Sequence, residues 1–241
     1  MRLVFFGDSL LDTRGIYSGK ESNIVQLLQN SILPFIITNY AEGGSLTGGA
    51  EEYAYKINGE ILKAKGLQGQ VSDYLAQYMV APDAIIIWSG TNDSVIGAQL
   101  DPFETADGQV TASELVVAQR ILLDAVANPF VYINEVVKYI IQNYRFAASR
   151  LHARYPTARI IFITPLNLSL VPISDFGSKA EIRAAVMYKQ LITAMKEEIT
   201  PLPNCTIVDI VNIVHTIIDA IHLDTKAQTA VCMQLLLPSY L

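Results

Sequence analysis

Five short apolar runs alternate along this chain with stretches of helical periodicity. Leu3-Val4-Phe5-Phe6 is the first, and Pro34–Tyr40, Ala84–Trp88, Arg159–Pro165 and Cys205–Ile210 follow. Such runs, rich in β-branched and aromatic residues, suit strands buried on both faces. Between them apolar residues recur every three or four positions, as in Ile24, Val25, Leu27, Leu28 and Ile32. That spacing predicts a helix there, with Ser22 or Asn23 as its cap. The same periodicity predicts helices over 70–79, 113–126, 129–154, 178–199 and 225–237. Alternation of this kind predicts a three-layer α/β/α fold on a doubly wound, five-stranded parallel sheet.

With 241 residues, 51% of them hydrophobic and 17% charged, the chain can bury a large core. No repeat, linker or low-complexity segment divides it, so a single domain over 1–241 is expected. Residues 94–128 are the least regular stretch and read as a lid or insertion beside a site, or as a surface excursion. The net charge of −6 argues against nucleic acid as a partner, because neutralising phosphates needs a basic face. The mean hydropathy of +0.31 allows an exposed apolar patch that could meet a membrane surface. No run approaches the roughly 18 apolar residues of a membrane span. The first strand starts at residue 2, which leaves no room for a leader. That predicts a cytoplasmic protein, one exported without a cleaved leader, or a chain trimmed at its start. Cys205 and Cys232 form no C-x-x-C pair and read as buried thiols.

The polar turns that stop the strands carry the chemistry. Gly7-Asp8-Ser9 ends the first run and puts a serine at the carboxyl end of a strand, where open parallel sheets bind ligands. The second run enters Glu42-Gly43-Gly44-Ser45, which is neither a P-loop nor a dinucleotide fingerprint. The third stops at Ser89-Gly90-Thr91-Asn92-Asp93. A nucleophilic serine needs a base, usually histidine. Of three histidines, His152 reads as a helix-end residue and His215 as a partly buried one. His222 stands three residues after Asp219, close enough for the carboxylate to orient the ring.

Together these blocks resemble the GDSL family of lipases and esterases, the SGNH hydrolases. Gly7-Asp8-Ser9-Leu10, Asn39-Tyr40-Ala41-Glu42-Gly43-Gly44, Gly90-Thr91-Asn92-Asp93 and Asp219-Ala220-Ile221-His222 stand in family order across nearly the whole chain. Phe6–Thr13 looks most like the phospholipase and lecithinase branch. The resemblance implies a flavodoxin-like topology and a Ser9, Asp219, His222 triad. It implies an oxyanion hole from the Ser9 and Gly44 N–H groups and the Asn92 amide, with Gly43 as rival to Gly44. It implies neither cofactor nor metal, and lipid esters as the expected substrate. A carbohydrate deacetylase, an acyl-thioesterase and an inactive lipid- or partner-binding domain are the alternatives. Asp8 and Asp12 read as loop-structuring residues. Where the family often has Pro-Thr after the histidine, this chain has Leu223-Asp224-Thr225, and Asp224 is a second carboxylate beside His222.

Overall fold

The computed structural model describes residues 1–13, 23–49, 52–57, 60–77, 80–94, 129–166, 178–210 and 223–236. Among these, five parallel strands form one sheet: β1 (Arg2–Gly7), β2 (Ile36–Asn39), β5 (Ala84–Trp88), β6 (Arg159–Ile163) and β7 (Cys205–Val208). Their order is β2-β1-β5-β6-β7. The expected doubly wound α/β/α architecture is therefore present. The expected helix over 113–126 lies outside the described residues.

Parallel strands need crossovers, and right-handed crossovers set the layers. The chain leaves β1 for β2 on one side, then returns past β1 to β5 and continues to β6 and β7. Reversing direction at constant hand moves the helices to the opposite face. Accordingly α1 (Ile24–Gln29) packs against α5 (Thr225–Leu235). On the other face α2 (Leu67–Ala76) packs on α3 (Pro129–Arg154), and α3 on α4 (Ser178–Glu198).

The central strands are apolar throughout because both faces are covered. Every residue of Ala84–Trp88 is buried. Trp88 lies in the core and donates its indole N–H to the Thr164 carbonyl at 3.1 Å, so its one polar atom is satisfied. The periodic positions of α3 from Ile133 to Leu151, including Ile140, Tyr144 and Ala147, are buried as their spacing predicts. Asn23 caps α1 in a capping box with Gln26. Cys205 and Cys232 are both buried and unpaired with each other, and burial pushes the Cys205 thiol up to about 11.

Two features differ from the sequence expectation. An antiparallel hairpin, β3 (Glu52–Ile57) and β4 (Glu60–Lys65), stands between β2 and α2. Glu52, Lys56, Glu60, Lys63 and Lys65 break up its apolar positions, which hides it from a search for continuous apolar runs. Helix α2 begins at Leu67 rather than at Gln70, because the backbone of Gly66 takes the capping position.

Candidate active site

Two loops are brought together where the strand order reverses, at the carboxyl ends of β1 and β5, and the loop after β2 joins them. Gly7 ends β1 and is closely confined. A Cβ there would lie 1.9 Å from the Trp88 carbonyl oxygen, so only glycine fits. Asp8 then donates its N–H to that same oxygen at 3.2 Å. The Asp8 carbonyl accepts from Leu11 and Asp12, each at 3.1 Å, which winds the chain into one helical turn. Ser9 opens this turn and is 7% exposed.

The carboxylates of the first loop are structural, as expected. Asp8 Oδ1 accepts the Leu10 N–H at 3.1 Å. Asp12 Oδ2 accepts the Gly43 N–H at 2.7 Å, which ties the first loop to the second. The Gly43 N–H, a rival oxyanion donor, is thus directed at Asp12. Gly44 follows with φ +76°, a left-handed conformation that a side chain would strain.

Ser45 joins all three loops. Its hydroxyl donates to the Gly7 carbonyl at 2.8 Å, and its own carbonyl accepts from the Asn92 side-chain amide at 2.9 Å. Asn92 lies in a helical turn over 91–94, closed by Ser94 N–H donating to the Gly90 carbonyl at 3.0 Å. Asp93 beside it is buried. Burial pushes its carboxyl up to about 6, while hydrogen bonds from Thr47 hold the rise back. Two consecutive residues of α3 brace the arrangement from below. Tyr144 donates to the Ser89 carbonyl at 2.5 Å, and Asn143 reaches Thr47 Oγ1 at 3.5 Å.

Ser9, Gly44 and Asn92 therefore stand on adjoining loops at one edge of the sheet. Asp219, His222 and His215 lie outside the described residues, as do 95–128 of the expected lid. Asp224, the extra carboxylate, caps α5: its Oδ1 accepts the Ala227 N–H at 2.7 Å. His152 sits in the last turn of α3, which leads into the start of β6 and hence to the opposite edge of the sheet. A groove of about 660 Å³ between α3 and α4, lined by Val137, Ile141, Val186 and Ala194, contains none of the candidate residues. Among the described residues no three His, Cys, Asp or Glu side chains are grouped to hold a metal ion. Among them also, no helix is long and apolar enough to cross a membrane.

A doubly wound sheet with polar loops gathered at its switch point defines an α/β protein whose ligand site lies at the carboxyl ends of β1 and β5. Comparison with known proteins narrows this. The model of the GDSL-like lipase/acylhydrolase family matches residues 3–235, and the chain belongs to that family of ester hydrolases. Solved structures share the fold at low identity. A lipolytic G-D-S-L family protein from Veillonella parvula superposes with a TM-score of 0.55 at 16% identity, covering 100% of both chains. An extracellular lipase from Streptomyces rimosus gives 0.60 at 12% identity, over 95% of each chain. The lipase Lip_vut3 from a goat rumen metagenome gives 0.55 at 12%, over 98% of this chain and 95% of that one. No curated protein sequence matches the chain.

Proposed function

We propose that this protein hydrolyses lipid carboxylic esters through an acyl-enzyme on Ser9. His222 takes the Ser9 Oγ proton as the oxygen attacks the ester carbonyl, and Asp219 orients the imidazole and stabilises its cation. The carbonyl oxygen becomes an anion held by the N–H groups of Ser9 and Gly44 and by the Asn92 amide. His222 then gives its proton to the leaving alcohol, and the C–O bond breaks. A water, deprotonated by His222, attacks the acyl-enzyme, and the carboxylic acid leaves as Ser9 recovers its proton.

The observation that supports this reading is that Ser45, next to Gly44, bonds both to Gly7, two residues before Ser9, and to the Asn92 amide. Donors fixed before the charge develops need no reorganisation during reaction. The 2.7 Å bond from Gly43 to Asp12 favours Gly44 over Gly43 as the backbone donor. The lipolytic structural neighbours and the apolar composition support a lipid substrate.

Hydrolysis of p-nitrophenyl esters from acetyl to palmitoyl, with Ser9→Ala alongside, tests it. The expected result is turnover that favours medium or long acyl chains and vanishes in Ser9→Ala. Full activity in Ser9→Ala would overturn the nucleophile, and cleavage of acetyl esters alone would overturn the lipid substrate.

A further inference from the structure

Strand β2 stops at Asn39, yet β1 runs on to Gly7. In a parallel ladder the N–H and C=O of one residue point to the same side. Phe5 faces β2, since its carbonyl accepts the Tyr40 N–H at 2.9 Å. Gly7, two residues on, faces the same way: its carbonyl accepts the Glu42 N–H at 3.0 Å, which leaves only the place opposite its N–H to be filled. The side-chain amide of Gln70, on α2, fills that place. Its Oε1 accepts the Gly7 N–H at 2.9 Å, and its Nε2 donates to the Gly7 carbonyl at 2.9 Å. The second Nε2 hydrogen goes to the Lys65 carbonyl at 3.0 Å, at the end of β4. Gln70 is 1% exposed, and these three bonds use its amide at both ends. The arrangement fixes which way the amide points, because only its oxygen can receive the Gly7 N–H.

We infer that Gln70 is a positioning residue for Ser9, its amide oxygen standing in for the backbone carbonyl that a longer β2 would place opposite the Gly7 N–H. Gly7 is held on its other side by β5, where its Cα pairs with Trp88. Clamped on both sides, it sets the direction in which the chain enters the turn carrying Ser9. A small rotation at Gly7 would swing the Ser9 hydroxyl away from a carbonyl carbon, and misplacement by about 1 Å costs on the order of 10² in rate. The same clamp positions the oxyanion donors, since the Gly7 carbonyl also accepts from Ser45, which holds Asn92. The inference rests on Ser9 being the nucleophile.

Two variants test it against wild type and Ser9→Ala, with ester hydrolysis followed across pH. Gln70→Met keeps the length and removes every hydrogen bond. It is expected to lower kcat by about 10²-fold with little change in KM. Gln70→Glu carries the sharper signature. Its neutral acid keeps one acceptor for the Gly7 N–H and one donor for the Gly7 carbonyl. Its anion has no donor and would face that carbonyl. The ratio of Gln70→Glu to wild-type kcat is therefore expected to be highest at low pH and to fall as the acid ionises. Near-UV circular dichroism at each pH follows the fold. A flat ratio across pH in folded Gln70→Glu, or wild-type kcat in Gln70→Met, would overturn the role of Gln70 and leave Ser9 standing. Wild-type protein that cleaves no ester would instead overturn the serine esterase reading, and this inference with it.

Discussion

The carboxylate of Asp93 accepts three hydrogen bonds from Thr47: two from the backbone N–H, at 3.0 and 3.3 Å, and one from the hydroxyl at 2.8 Å. Asp93 follows β5 and Thr47 follows β2, so the pair joins the two loops proposed to hold an oxyanion. The cost of burying this charge has a measurable sign. The carboxyl rises from an ordinary 3.8 to about 6 on folding, so the folded protein resists its ionisation. Its neutral form adds stability below about pH 4, and that stability is lost as pH rises through about 6. Urea unfolding of wild type and Asp93→Asn isolates the effect, because asparagine does not titrate. Between pH 4 and pH 7 wild type is expected to lose roughly 2–3 kcal/mol relative to the variant. A difference that stays constant with pH would show that Asp93 ionises freely in the fold.

Gly7 is expected to tolerate no side chain. In Gly7→Ala the new Cβ would meet the Trp88 carbonyl oxygen at 1.9 Å, a contact with backbone that no rotamer change relieves. Overpacking typically costs about 1–3 kcal/mol, and a clash with backbone belongs at or above the upper end. The denaturation midpoint should fall accordingly, and a midpoint equal to that of wild type would contradict the close approach.

If Asn92 donates to the oxyanion, Asn92→Ala loses on the order of 10²–10³ in kcat. Its amide also donates to the Ser45 carbonyl, so some loss of stability accompanies the loss of rate. Steady-state kinetics separate the two. A variant that falls only in melting temperature, with kcat intact, would make Asn92 structural and remove it from the oxyanion hole.

Asp224→Ala tests the competing carboxylate. Asp224 caps α5, and losing a cap costs about 1 kcal/mol. For a chain of this length that lowers the melting temperature by about 2–4 °C. The pH dependence of kcat/KM should stay as in wild type. A displaced limb would indicate that Asp224 acts on His222, the proposed base.

Much of this was legible in the chain because strand and turn signals are local. Leu3–Phe6, Ala84–Trp88 and Arg159–Ile163 are too apolar to lie anywhere but between two helical layers, and the helices between them announce themselves by period. The hairpin of β3 and β4 was not, although Asn58-Gly59 between two Tyr- and Ile-bearing segments is a strong hairpin signal. Its charged residues obscure the apolar pattern, while its pairing depends on register between two strands. Gln70 offered no signal either. A glutamine in a helix is expected to face solvent until the strand it meets is known.

The sequence by itself determined the layer architecture, the family and the candidates Ser9, Gly44, Asn92, Asp219 and His222, because periodicity and short turn motifs are written in neighbouring residues. Only the tertiary structure decided that Gly43 is directed at Asp12, that Asp224 caps a helix, and that Gln70 and Asp93 are buried partners of Gly7 and Thr47. Those pairings join residues 31 to 63 positions apart, apart from the local cap, and a hydrogen bond over such a separation exists only once the sheet has set its partners at one edge.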